Sequence, residues 1–147
     1  MNDKAATTSE ERSPRPRPAP VPDPDSAEYW SAAHDGRLVL QRCEACGAYQ
    51  LYPRDHCISC GGAVSWVEAS GRGSVYSFTI IRQNYSRAFR DMIPYVVALV
   101  DLEEGPRLMT NIVECDPADV TIGMPVHATF EQVSEETGIA LFTPSST

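Results

Sequence analysis

The sequence predicts a mainly β protein: a short N-terminal helix, a four-cysteine ribbon and a small barrel. Three observations carry this. Two C-x2-C pairs, Cys43/Cys46 and Cys57/Cys60, stand ten residues apart. Downstream of them, short runs of β-branched and aromatic residues alternate with glycine-marked bends. Upstream, one capped amphipathic segment follows a run of alternating prolines.

The elements follow in chain order. Pro14, Pro16, Pro18, Pro20, Pro22 and Pro24 fall on alternate positions, which excludes helix and favours extended polyproline backbone. Residues 1–24 offer little apolar surface to bury, so a disordered, solvated tail is expected. They hold no hydrophobic core segment of the secretory kind, so an intracellular, cytoplasmic chain is expected. Residues 25–36 read as a helix. Asp25 is the expected N-cap, Glu28 reaches back as a capping box, Tyr29, Trp30 and Ala33 form the apolar stripe, and Gly36 marks the end. Residues 37–68 form the ribbon, with a strand over Leu38–Arg42 leading into the first cysteine pair and another over Val64–Glu68. Residues 69–147 form the barrel. Its strands are expected at Gly73–Ile81, Tyr95–Leu102, Arg107–Glu114, Val126–Val133 and Ile139–Phe142. Five or six short strands in so little chain favour a barrel over a sandwich. Gly71 and Gly73 mark the bend where the first barrel strand coils.

Each C-x2-C hook aims two thiolates at one point. Gly47 follows the first hook and Gly61-Gly62 the second, where the backbone curls around a metal and positive φ costs glycine nothing. Four thiolates around one point make the tetrahedral set of a structural zinc. Two disulfides are the competing reading, and iron fits the same four sulfurs as in a rubredoxin-like site. A closed thiolate shell leaves no position for water or substrate, so the metal holds structure and does no hydrolysis.

Charge excludes one broad class. The net charge is −8, and from Asp25 onward 16 acids face eight arginines. Nucleic-acid binders present a cationic face to phosphate, and this chain has the opposite balance. No apolar run approaches the roughly 20 residues that span a bilayer. One local exception stands out: Arg82, Arg87 and Arg90 lie within nine residues, with Tyr85 and Phe89 among them. An ordinary solvated loop anchored by one aromatic is one reading of this segment, and a contact with a ligand or partner is the other.

The remaining chemistry-bearing residues read as structural. His56 precedes Cys57, but four cysteines already complete the shell. His34 suits a helix C-terminus, and His127 alternates onto a strand surface. Cys115 lies beside Asp116, whose charge disfavours a thiolate. Glu103-Glu104 and Glu135-Glu136 sit at turns and read as solvated loop charge. No nucleophile–base pair is legible, so no catalytic residue is assigned.

Taken together, the motifs resemble a known family. They are Tyr29-Trp30, then Leu40-x-Arg42-Cys43-x2-Cys46-Gly47, Tyr52-Pro53-Arg54 and Cys57-x2-Cys60-Gly61. They continue with Gly71-x-Gly73-x-Val75-Tyr76-Ser77-Phe78-Thr79, Pro94-Tyr95-x-Val97-Ala98-Leu99-Val100, Glu104-Gly105-Pro106-Arg107, Asn111 and Gly123-Met124-Pro125-Val126. Over about residues 26–133 the chain is similar to the acyl-CoA-associated zinc-ribbon/OB-fold family. The resemblance implies an N-terminal helix, a rubredoxin-like zinc ribbon and an OB-fold barrel. It implies one structural zinc on Cys43, Cys46, Cys57 and Cys60, and a thiolase-like partner subunit in an α2β2 assembly. The complex would act on acyl-CoA thioesters, with a retro-aldol carbon–carbon lyase of steroid or lipid side chains favoured over a thiolase or acyltransferase. Catalytic groups would then lie in the partner. Arg82, Tyr85, Arg87, Phe89 and Arg90 become candidates for the CoA moiety. A nucleic-acid-binding module is the less favoured class, and neither nucleic acid nor membrane is expected as a partner.

Overall fold

The computed structural model describes residues 16–146. One helix, α1 (Ala27–His34), precedes eight strands: β1 (Val39–Cys43), β2 (Tyr49–Gln50), β3 (Val64–Glu68), β4 (Arg72–Ile81), β5 (Tyr95–Leu102), β6 (Arg107–Ile112), β7 (Pro125–Gln132) and β8 (Gly138–Pro144). The first three strands form an antiparallel sheet in the order β2-β1-β3. The other five close into a barrel in the order β4-β5-β6-β8-β7. All barrel neighbours are antiparallel except β6 and β8, whose parallel ladder is reduced to Ile112 against Phe142. This is the OB-fold arrangement that the strand spacing and family resemblance predict. Among the described residues no helix is long and apolar enough to cross a membrane.

The barrel closes because its strands alternate. In β5 every second residue from Val96 to Leu102 is buried, and Phe142, Val75, Val100 and Val126 fill the interior. Gly73 supplies the sharp coil of β4. A Cβ there would stand 2.5 Å from the Asp101 carbonyl, so only glycine lets β4 and β5 approach. The register shifts between Val75 and Ser77 and turns Tyr76 outward. Leu38 and Leu40 enter the same buried cluster as the barrel valines, so the ribbon and the barrel share one core.

The helix start differs from expectation. Ser26 occupies the cap, and Asp25 with Glu28 forms no capping box. Asp23 makes the turn instead, its carboxylate accepting from Ser26 N at 2.8 Å and Ser26 Oγ at 2.6 Å. Asp23 closes the turn ahead of the helix, with its carbonyl also accepting from Ala27 N at 2.9 Å, and displaces the box. The buried face of α1 is Ala32 and Ala33, each 1% exposed. It rests on Gly138, where a Cβ would lie 2.5 Å from His34 N. The strand expected over Arg107–Glu114 stops at Ile112, and Glu114 adopts a φ of 59° that ends the ladder.

The expected tail is described only from Pro16, and residues 1–15 lie outside the described residues. Within the described part, Arg17 reaches the barrel. Its guanidinium donates to Asn111 Oδ1 at 3.4 Å, pairs with Glu131 at 3.4 Å and lies 5.6 Å from the Phe89 ring centre.

Candidate metal centre and interaction sites

The two cysteine hooks repeat one backbone figure. Gly47 N donates to the Cys43 carbonyl at 3.0 Å, and Gly61 N to the Cys57 carbonyl at 2.9 Å. Cys43 N donates to the Ala48 carbonyl and Cys57 N to the Gly62 carbonyl, both at 2.9 Å. Gly47 and Gly61 have φ of 74° and 76°, the left-handed turn predicted after each pair. Gly62 is needed for space: a Cβ there would sit 3.1 Å from Cys43 Sγ and 3.3 Å from Cys60 Sγ.

All four sulfurs lie within 4.8 Å of one another. Cys43 and Cys60 approach to 3.5 Å and Cys46 and Cys57 to 3.7 Å. Sulfurs about 2.3 Å from a tetrahedral zinc stand about 3.8 Å apart, so the constellation fits that ion. The cysteines are free thiols, which sets aside the disulfide reading. Backbone amides already favour thiolate: Cys46 N points at Cys43 Sγ at 3.4 Å and Ser59 N at Cys57 Sγ at 3.3 Å. The amides of Cys60 and Ser59 hold the Cys57 thiol down at about 6. At Cys60 the Gly62 amide also lowers the thiol. Hydrogen bonds with Cys43 and Cys46 outweigh it and push Cys60 up to about 12. Four crowded thiols thus resist sharing so much negative charge, and a divalent cation at their centre removes the conflict. The ribbon carries one structural zinc. Its shell of four sulfurs offers no open position. His56 lies outside the set and forms an isolated bridge with Ala63.

A polar network that the sequence reading missed supports the second hook. Gln41 and Gln50 are only 6% and 5% exposed. Gln50 Nε2 donates to Gln41 Oε1 at 2.8 Å, and Gln41 Oε1 also accepts from Arg54 N at 2.9 Å. Gln41 Nε2 donates to the Arg54 carbonyl at 3.1 Å, and Gln50 Oε1 accepts from Ile58 N at 3.0 Å. Two buried amides therefore dictate the path of the segment between the hooks. Their only sequence signal is a glutamine at an inward position of an otherwise apolar strand.

The basic loop lies between β4 and β5. Arg82 and Arg90 are exposed and Arg87 is half-buried. Tyr85 is 86% exposed, and its hydroxyl accepts from Gln83 Nε2. Phe89 turns inward, with its ring 6.4 Å from that of Tyr95, whose hydroxyl accepts from Asn84 Nδ2 at 2.9 Å. The two aromatics thus divide: Phe89 anchors the loop and Tyr85 is presented.

A groove of about 530 Å³ opens where the three modules meet. α1 contributes Tyr29 and Trp30, the segment between the hooks Leu51 and Tyr52, β6 Met109 and β8 Ile139. Burial pushes the Tyr29 hydroxyl up to about 12.

The other singled-out residues are structural. His127 is exposed and meets Ser145 Oγ at 3.2 Å on the barrel surface. His34 faces Asp35 at 3.5 Å. Burial, then Asp119 and Asp116, raise the Cys115 thiol. Glu103 and Glu104 do more than the expected solvation. Arg72 donates to both Glu103 oxygens at 2.9 Å, and Ser70 N donates to Glu104 Oε1 at 2.6 Å. Together they fasten the bend that enters β4.

The two modules match known families separately and in order. Residues 30–65 match the ChsH2 rubredoxin-like zinc ribbon domain, and residues 66–131 the ChsH2 C-terminal OB-fold domain. A probable enoyl-CoA hydratase alpha subunit of Thermomonospora curvata is 39% identical over 142 residues, 95% of this chain and 44% of that protein. A 3-oxo-4,17-pregnadiene-20-carboxyl-CoA hydratase alpha subunit of Mycobacterium tuberculosis is 43% identical over 67 residues, 46% of this chain and 21% of that protein. The chain thus spans less than half the length of either relative. The solved structure of an Ltp2-ChsH2(DUF35) aldolase contains a chain 40% identical to this one, with a TM-score of 0.77, over 85% of this chain and 98% of that one. Matched across both modules, the chain belongs to the ChsH2 branch of the DUF35 family, a rubredoxin-like zinc ribbon joined to an OB-fold barrel.

Proposed function

We propose that this chain is the non-catalytic, zinc-bearing subunit of a complex with a thiolase-like enzyme acting on acyl-CoA thioesters. The favoured reaction is retro-aldol carbon–carbon cleavage in steroid or lipid side-chain degradation, by an assembly with two copies of each subunit. One observation carries the reading: the chain covers 98% of its counterpart in the Ltp2-ChsH2(DUF35) aldolase at 40% identity. The steroid-CoA name of the Mycobacterium tuberculosis relative supports the substrate class.

The site chemistry agrees. A four-sulfur shell leaves zinc no free position for substrate. The Ser145–His127 contact is exposed, and among the described residues no carboxylate pairs with that ring. The loop from Arg82 to Arg90 is the proposed contact with the CoA phosphates or with acids of the partner. Arg82, Arg87 and Arg90 supply charge, Tyr85 supplies an exposed ring, and Phe89 packs toward Tyr95 of the barrel.

The test is reconstitution. The chain and a thiolase-like subunit are assayed alone and together with a β-hydroxyacyl-CoA thioester. Cleavage to a ketone and a shortened acyl-CoA is expected only with both chains present. Turnover by this chain alone overturns the non-catalytic assignment, and acyl transfer without cleavage overturns the lyase.

A further inference from the structure

The groove between α1, the ribbon and the barrel has two properties that specify what it takes. Its walls are mostly apolar and two large side chains stand open at it: Tyr52 of the ribbon is 70% exposed and Met109 of the barrel 66%. Large exposed apolar side chains lining a concave opening are what a buried anchor residue needs. It also lies where the barrel's strand pairing is thinnest. β6 and β8 share one register pair at Ile112 and Phe142, and beside the groove Thr110 Oγ1 reaches the Ala140 carbonyl at 3.0 Å. An extended chain can lie along such diverging strand edges.

Charge narrows the occupant further. Asp23 and Asp25 line the helix-side lip, and Glu28 follows in the first turn of α1. Asp23 is fixed there by the Ser26 hydroxyl and amide. The cation lining the groove is Arg54, whose Nη1 already donates to the Pro53 carbonyl at 3.0 Å. A phosphate-bearing ligand would meet carboxylates on entry. A second copy of a chain with net charge −8 is disfavoured on the same ground.

We propose that the groove receives an extended segment of the partner subunit that carries one large apolar side chain flanked by Lys or Arg. The apolar side chain enters between Tyr52 and Met109, and its basic neighbour pairs with Asp23 and Asp25. This rests on the reading of the chain as a partner subunit and adds the surface through which it acts.

The test uses the full chain and the purified Ltp2 subunit of the aldolase named above, with affinity measured by calorimetry. Tyr52→Asp and Met109→Asp should each weaken binding at least tenfold. Asp23→Lys with Asp25→Lys should do the same, by an amount that shrinks as salt rises. Ile122→Asp, at a residue equally exposed (71%) and outside the groove, should stay within twofold. Circular dichroism and zinc content should match the parent in the Tyr52, Met109 and Ile122 variants, whose side chains are exposed. Asp25→Lys alone, which spares the Asp23–Ser26 contacts at the start of α1, should show the same salt-dependent loss with an unchanged spectrum.

Parent-like affinity in the Tyr52 and Met109 variants overturns the groove assignment and leaves the partner role standing. Failure of the unaltered chain to bind Ltp2 removes the partner role and the groove with it. Concentration-dependent dimers of the chain alone, abolished by Tyr52→Asp, assign the groove to a second copy. Loss of acyl-CoA affinity in the groove variants, with Ltp2 binding unchanged, assigns it to a small molecule.

Discussion

The ribbon and the barrel both fold short antiparallel strands, yet different forces hold them. The barrel buries Phe142, Val75, Val96, Val100 and Val126 almost completely and closes its sheet on itself. Apolar burial at about 25 cal/mol per Å² can sustain such a closed core. The ribbon lends Leu38 and Leu40 to that core and places a polar pair, Gln41 and Gln50, under the segment between its hooks. A module of about 30 residues cannot bury enough surface to stand alone, which is the size range where metals take over. Its far end is therefore held by zinc and hydrogen bonds, and its near end by the barrel. The groove lies at the seam between the two.

The largest predicted effect breaks only one side of this comparison. Structural zinc contributes on the order of 10 kcal/mol to folding of its module. Cys43→Ser should abolish zinc binding and leave residues 44–63 exchanging amide hydrogens freely, while β4 to β8 keep their protection. Equal loss of protection in both modules would show that the barrel depends on the metal.

Phe142→Ala strikes the other side. Removing a fully buried ring costs about 3–5 kcal/mol. The melting temperature should fall steeply while the protein purified at low temperature still carries one zinc. Loss of zinc together with stability would mean that the ribbon has no integrity of its own.

Gln41→Leu probes how much of the ribbon is polar architecture. It strands Arg54 N and leaves Gln50 Nε2 with only the 3.3 Å contact to the His56 carbonyl, at about 1–3 kcal/mol. Zinc transfer to a chelator should accelerate with little change in barrel stability. An unchanged transfer rate would reduce the network to filler. Gly138→Ala, by contrast, presses a methyl into the backbone of α1 and should cost about 1–3 kcal/mol. Its signature is altered Trp30 fluorescence, because the helix must lift, with zinc content unchanged.

Arg82→Glu with Arg90→Glu has the smallest structural effect, since both side chains are exposed. Stability and zinc should match the parent, while assembly weakens or KM for the CoA thioester rises. Unchanged assembly and kinetics would remove this loop from the proposed site.

What the sequence made legible is what depends on near neighbours. The cysteine spacing, the glycines after each hook, the β-branched runs and the bend at Gly73 are local patterns, and the barrel strands end within two residues of where they were read. What escaped the reading joins distant parts of the chain. Gly138 is dictated by a helix more than 100 residues earlier, and Gln41 by the path of the segment that returns to it. Glu103 and Glu104 looked like solvated turn charge because Arg72 and Ser70 meet them only once β4 and β5 have paired. The alternating prolines predicted an extended segment, but not that Arg17 reaches Asn111, Glu131 and Phe89. The groove is a product of three modules meeting, so no single stretch announces it.

The most direct measurement of the central claim is native mass spectrometry of this chain co-produced with a thiolase-like subunit. The account predicts one complex holding two copies of each chain, with one zinc for every copy of this one. This chain running alone and free of metal, beside an intact thiolase-like dimer, would contradict it.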